Sequence, residues 1–317
     1  TSMSSSCFRA PRSLSAKKER AINDESAFLK ENMIRLVTVT GSRTTTLPYM
    51  IQHYIDIVDE IHIVAYDTKN KQYENVQKVC KQFGDKVILH KHPDEQEYNW
   101  ETVTMLYNSI KALYPNDWWI ISDDDEFHVY SKPVNEIIAD CEKNGWEIVR
   151  GGFIDRIGEG GKFNEIQPFS SNQNLFSQFP YAGFFRYPMS GACPNKICIV
   201  KGNIEVTPGQ HYANVYEQTT WRWQGWNHPL IAPIDTHSVQ VHHFKWDSTV
   251  IDRIKKVADI KEDYAYSNEY LQMYLALRSK SFEMDLNHNE YKFEYCPTAT
   301  FENYKNWNVL LKEIISI

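Results

Sequence analysis

An α/β fold with a doubly wound, mostly parallel sheet is what this sequence predicts, on three observations. First, from residue 34 to residue 153 short β-branched runs alternate with segments whose apolar residues recur at i, i+3, i+4 and i+7. Strands that alternate with helices in this way form parallel sheets, because each crossover must carry the chain back over the sheet. Second, the apolar run Trp118–Ser122 ends directly in Asp123, Asp124, Asp125 and Glu126. Ligands bind beyond the C-terminal strand ends of such sheets, which is where these carboxylates fall. Third, the alternation stops after residue 153. Residues 154–235 are rich in Gly, Pro, Asn and aromatics, with short strands only.

The elements follow in order. Ile34–Thr40 (IRLVTVT) reads as a strand, broken by Gly41-Ser42-Arg43. Thr46 can cap the next helix, with Pro48 in its first turn. Glu60–Tyr66 is the second strand, and Val76, Val79, Cys80 and Phe83 mark an amphipathic helix after it. Lys86–His90 is the third strand. Val103, Leu106, Tyr107 and Ile110 space out another helix, and Trp118–Ser122 is the fourth strand. Val134, Ile137, Ile138 and Cys141 form a helix after Pro133, before a fifth strand at Glu147–Phe153. Later, Lys196–Val200 and Val239–Phe244 read as strands. Asp247 or Ser248 caps a helix carrying Val250, Ile251, Ile254 and Val257. A Tyr-rich helix covers about 264–277 and a short one closes the chain around 307–315. Ser42, Asp67, His90 and Asp123–Asp125 all stand at strand ends, on the expected site mouth.

Composition narrows the function. Against 34 Lys+Arg stand 41 Asp+Glu, a formal charge of −7, so the dominant basic face of a duplex nucleic-acid binder is missing. The hydrophobic share is 42%, enough for a full core. The longest apolar stretches are too short to span a bilayer, and no apolar leader follows the polar N-terminus. The expectation is a soluble, cytoplasmic enzyme, of a cell or of a virus replicating in one. None of the six cysteines forms a C-x-x-C pair, and Cys80 and Cys141 lie on apolar helical stripes. Residues 1–32 read as a polar tail. Residues 33–317 read as one domain: a nucleotide-binding half (33–153), an acceptor and metal half (154–260) and C-terminal helices (261–317).

Four adjacent carboxylates repel one another, and partial burial makes that costly unless a cation compensates. Alternate residues at a strand end point the same way, so Asp123 and Asp125 can converge on one ion. Oxygen-only ligands suit Mn²⁺ or Mg²⁺. His242 and His243 share a strand and therefore face opposite sides, so only one can serve the site.

A β-α-β series whose fourth strand ends in D-x-D, here W-W-I-I-S-D-D-D-E-F over 118–127, resembles the GT-A nucleotide-sugar glycosyltransferases, specifically family-2-like transferases of bacteria, algae and large DNA viruses. Gly152-Phe153-Ile154-Asp155-Arg156, Lys196–Val200 followed by Gly209-Gln210-His211, and His242–Asp247 (H-H-F-K-W-D) resemble later elements of the same group, over roughly residues 34 to 260. The resemblance implies a GT-A, Rossmann-like fold with an acceptor-side subdomain of short strands. It implies a UDP-type sugar donor whose diphosphate is bridged by a metal on Asp123 and Asp125, with His243 completing the metal contacts and Asp124 on the ribose or sugar. Thr40, Gly41 and Arg43 would line the nucleotide pocket, joined by Asp67, Trp100 and, toward the phosphates, Lys245.

An inverting transfer needs a carboxylate base, for which Asp155, after the fifth strand, is the candidate, with Glu159, Glu217 and Asp235 as rivals. Trp221, Trp223, Trp226 and Tyr212, with Tyr216, crowd one segment. Together with Phe176–Tyr187 they read as the surface that stacks a glycan or glycoprotein acceptor, or alternatively as the core of a small subdomain. The alternatives to a glycosyltransferase are a metal-dependent phosphoesterase or nuclease using the same carboxylates, and a non-catalytic carbohydrate-binding protein built on the Trp-rich segment.

Overall fold

The expected alternation is present in a computed structural model of the chain, which describes residues 32–41, 44–66, 72–92, 99–214, 228–260 and 266–316. The chain divides into Thr1–Met33 and Ile34–Ile317, and the fold is that of the second unit. In chain order its elements are β1 (Ile34–Thr40), α1 (Leu47–Tyr54), β2 (Glu60–Ala65), α2 (Gln72–Cys80), β3 (Val87–Lys91), α3 (Trp100–Lys111), β4 (Trp118–Ile121), β5 (Glu126–Tyr130), α4 (Val134–Asn144) and β6 (Ile148–Ile157). There follow α5 (Leu175–Gln178), β7 (Tyr181–Gly183), α6 (Arg186–Ser190), β8 (Asn195–Lys201), β9 (Glu205–Val206), β10 (Ala213–Asn214), β11 (Val239–His243), α7 (Val250–Ala258), α8 (Ser267–Ser279), β12 (Glu294–Tyr295) and α9 (Trp307–Ser316).

The main sheet runs β12-β7-β6-β8-β4-β1-β2-β3. Its β3-β2-β1-β4 portion is parallel throughout. β8 inserts antiparallel between β4 and β6, and β7 is antiparallel to β6; these two run against the rest of that path. Parity explains the double winding. Leu36, Ile61, Ile63, Trp118 and Ile120 pack one face of the sheet against Met50, Val76 and Ile137 of α1, α2 and α4. Their neighbours Val37, Val39, Val64, Trp119 and Ile121 pack the other face against Val103 and Tyr107 of α3. Strands buried on both faces read as continuous apolar runs, which is why these were visible in the sequence. In the second half α9 packs on Ile154 and Ala182. α7 and α8 pack with Ile157, Phe185 and Trp246. Cys80 and Cys141 sit in the core. Among the described residues no helix is long and apolar enough to cross a membrane.

Three local expectations change. Thr46 precedes α1 without making a side-chain cap. The reading of the sequence has no strand at Glu126–Tyr130, yet β5 forms there and pairs antiparallel with β11. The fifth strand does not stop at Phe153 but runs to Ile157, so Asp155 lies inside β6 rather than in a loop after it.

β11 joins the site together. It runs parallel to β6 with His243 opposite Asp155, and antiparallel to β5 with His243 opposite Glu126. The close approach of β11 to β6 depends on Gly151, where a Cβ would lie 2.2 Å from the carbonyl oxygen of Val239. Gly151→Ala is therefore expected to push the two strands apart and to destabilise the fold by about 1–3 kcal/mol, read as a lower urea midpoint.

Candidate functional site

The four consecutive carboxyl groups are each held by a different element. Asp123 and Asp125 lie in the turn between β4 and β5, closed by the Glu126 N–H donating to the Asp123 carbonyl at 3.1 Å. The Asp123 carboxylate accepts the Tyr107 hydroxyl of α3 at 2.6 Å. Asp124 accepts the hydroxyl of Thr40, the last residue of β1, at 2.6 Å. Asp125 Oδ1 stands 3.6 Å from His243 Nε2 of β11. Glu126 accepts from the ammonium of Lys196, on β8, at 2.8 Å. Asp123 and Asp125 both sit in a turn, where the twofold alternation of a strand no longer applies, and their carboxylates meet different partners, Tyr107 and His243. Among the described residues no three His, Cys, Asp or Glu side chains form a group that could hold a metal ion.

Lys196 supplies one compensating charge to the acidic run, beside Glu126 and Asp123. It is 1% exposed, contacts Gln210 Oε1 at 2.5 Å and lies 3.6 Å from Asp123 Oδ2. Burial by itself would lower its pKa, but the carboxylates of Asp123 and Glu126 outweigh burial and raise it. Burial pushes the Glu126 carboxyl up, against the pull of Lys196. Burial also lifts the Tyr107 phenol well above its usual value, so it remains a donor to Asp123. Lys196, Tyr107 and Gln210 were not singled out from the sequence. A lysine at the head of the apolar run K-I-C-I-V was the one available signal.

His243 is flanked by two carboxylates. Its Nδ1 lies 3.7 Å from Asp155 Oδ1, on the side opposite Asp125. Asp155 is 1% exposed and accepts the backbone N–H groups of Phe185 at 3.2 Å and Arg186 at 2.9 Å, and the Trp246 indole N–H at 2.8 Å. Burial would raise its pKa, but His243 and the positive field of Arg186 outweigh that and hold it low. A sealed carboxylate saturated with donors and held low is a poor proton acceptor. The two histidines do face opposite sides. His242 bonds Gln240 Oε1 at 3.1 Å and packs against Phe176. Arg156, next to Asp155, donates instead to the Cys296 carbonyl at 2.6 Å.

The other expected residues are distributed as follows. Lys245 turns its ammonium to the Tyr270 hydroxyl of α8 at 3.0 Å. Trp100 opens α3 and packs against Tyr266, with ring centroids 5.2 Å apart. Gly41 has open space around it. His90 pairs with His62 at 3.0 Å. The Tyr212 hydroxyl lies 3.8 Å from Cys193 Sγ. Glu159 and Asp235 are exposed. Arg43, Asp67, Glu217, Tyr216, Trp221, Trp223 and Trp226 lie outside the described residues.

Burial keeps the surrounding histidines neutral. It lowers His53 and His62 to about 4 and His211 to about 3, and takes His128 and His242 well below the usual range. A histidine whose folded pKa lies below its unfolded value of about 6.5 leaves stability intact above that pH and erodes it as the unfolded chain takes up the proton. Tm is therefore expected to fall steeply as the pH drops from about 6.5 toward 4; a flat profile over that window would contradict the burial of these rings.

No protein-family profile matches the chain, and no curated protein matches it. Among solved structures it is similar to mannose-6-phosphate isomerase from Helicobacter pylori, with 13% identity, a TM-score of 0.31, and coverage of 54% of this chain and 71% of that one. It is also similar to S. aureus TarS, with 13% identity, a TM-score of 0.35, and coverage of 79% of this chain and 44% of that one. A third is S. aureus TarS 1–349, with 10% identity, a TM-score of 0.34, and coverage of 81% and 76%. Likenesses this distant carry no functional inference.

Proposed function

We propose that this chain is a metal-dependent glycosyltransferase, moving a hexose or pentose from a UDP-type nucleotide-diphosphate donor to a hydroxyl of a glycan acceptor. The observation that carries this reading is the facing pair Asp125 and His243, 3.6 Å apart at the C-terminal end of the parallel strands, with Asp155 behind His243. A histidine ligand whose second nitrogen faces a carboxylate is the usual supported arrangement at a metal. Asp125 and His243 would hold Mn²⁺ or Mg²⁺, whose shell is commonly completed by water and substrate phosphates rather than by a full protein cage. Bound there, the ion would neutralise charge on the departing diphosphate.

The protein's own contributions follow from the contacts. Thr40 and Asp124, joined at the end of β1, form a polar edge suited to a ribose or sugar hydroxyl. Asp155 orients His243; the role of base in an inverting transfer then passes to Glu159 or Glu217, since Asp235 precedes β11 and stands at the opposite end of that strand from His243. Flat aromatic side chains such as those of Trp221, Trp223 and Trp226 are the chemistry that would stack the acceptor. Differential scanning fluorimetry with Mn²⁺ and a panel of nucleoside diphosphates tests the reading. A rise in Tm with UDP plus Mn²⁺, abolished by EDTA, is expected. No shift with any nucleoside diphosphate and metal would overturn it.

A further inference from the structure

One aromatic ring gathers the basic side chains of the site. The Phe153 ring, on β6, has Arg186 over it at 4.2 Å and Lys196 at 5.5 Å, with the rings of His243 at 5.2 Å and His211 at 6.3 Å. Three of these four are accounted for within the protein. Lys196 is neutralised by Glu126, and His243 stands between Asp125 and Asp155. His211 is neutral, with Nδ1 donating to the Asn195 carbonyl at 2.7 Å.

Arg186 is different. Among the described residues its guanidinium makes a single hydrogen bond, Nη2 to the Cys193 carbonyl at 2.9 Å, and none of their carboxylates lies within ion-pair distance of it. The residue is 9% exposed. The guanidinium feels the field of the Asp155 carboxylate without pairing with it, and an arginine charge this deeply placed without a directly paired anion is costly. The amide of Gln210, wholly buried beside Lys196, likewise leaves Nε2 without a partner, and both side-chain polar atoms of Asn195 are sealed and unpartnered. Planar guanidinium groups take phosphate or carboxylate in a two-pronged grip.

We propose that Arg186, braced on Phe153, is an oxyanion-binding residue of this site and takes a phosphate or carboxylate of the substrate. This deepens the functional reading above. The same chemistry has two sources, the donor's diphosphate or an anionic acceptor sugar, a uronate or sugar phosphate.

Calorimetric titration of the full chain separates them, with UDP plus Mn²⁺ as one probe and glucuronate and glucose 6-phosphate against glucose as the other. Arg186→Gln is expected to weaken an anionic probe about tenfold or more while Tm without ligand holds. Loss in the UDP arm alone assigns Arg186 to the donor; loss in the acidic-sugar arm alone assigns it to the acceptor. If Arg186→Gln does not fold, Arg186→Lys carries the test, because it keeps the charge and loses the fork. Wild-type affinity in both arms overturns the proposal, as does failure of the wild type to bind any probe. Binding of acidic sugars without UDP would overturn the glycosyltransferase reading and leave Arg186 assigned.

Discussion

Lys196→Met is expected to destabilise the protein by about 3–5 kcal/mol. Lys196 is 1% exposed and Glu126 is 2% exposed, 2.8 Å apart, and the ammonium also faces Asp123. Methionine matches the aliphatic stem but leaves a buried carboxyl beside three neighbouring acids with no cation. The double variant Lys196→Met/Glu126→Gln should recover more than half of the loss, because it removes both charges together. The deficit of the single variant should also depend on pH. Burial already raises the Glu126 pKa, and without Lys196 the charge that opposes that rise is gone. A carboxyl with a folded pKa above its unfolded value is well tolerated at low pH and loses stability as pH climbs through the folded pKa. Urea melts at pH 5 and pH 8 check this. A deficit that is equal at both, or a double variant no better than the single, would show that Lys196 does not act through Glu126.

The parallel part of the fold was open to sequence reading because each βαβ unit carries its own local periodicity. β1 spans the expected Ile34–Thr40, and the helix inferred from Val103, Leu106, Tyr107 and Ile110 spans Trp100–Lys111. The position of the acidic run past β4 was open for the same reason. What the run touches was not. Asp125 meets His243 through the pairing of β5 with β11, across more than a hundred residues, and no local pattern reports a register between distant strands. The alternation of E-F-H-V-Y, which builds β5, was hidden behind the carboxylates before it. Periodicity placed Tyr107 in the core, correctly, but says nothing of a hydroxyl reaching out of that core to Asp123. Asp155 was misplaced by a strand end. Four more residues of β6 turn a loop carboxylate into a sealed one. The internal cation beside the run, Lys196, lies some seventy positions away in sequence, so no local pattern announces it.

Asp125→Asn is expected to abolish the Mn²⁺-dependent stabilisation by UDP and to lower turnover at least about 100-fold, if Asp125 and His243 hold the ion. The substitution keeps the side chain's shape, and the Phe244 N–H still donates to the residue's backbone carbonyl at 2.7 Å, so Tm without ligand should stay near wild type. Asp155→Asn gives a different signature. It should weaken metal affinity by about 10–100-fold, as loss of a supporting carboxylate does. It should also lower Tm without ligand, because the Phe185, Arg186 and Trp246 N–H groups would share a weaker acceptor in a sealed site. Ligand loss without a stability change at Asp125, and both changes together at Asp155, would separate the residue that touches the ion from the one that aims its partner. If instead Asp155→Asn removed turnover while Mn²⁺ affinity stayed at wild type, Asp155 would return as the base. The burial that makes it a poor proton acceptor would then have to open during the reaction.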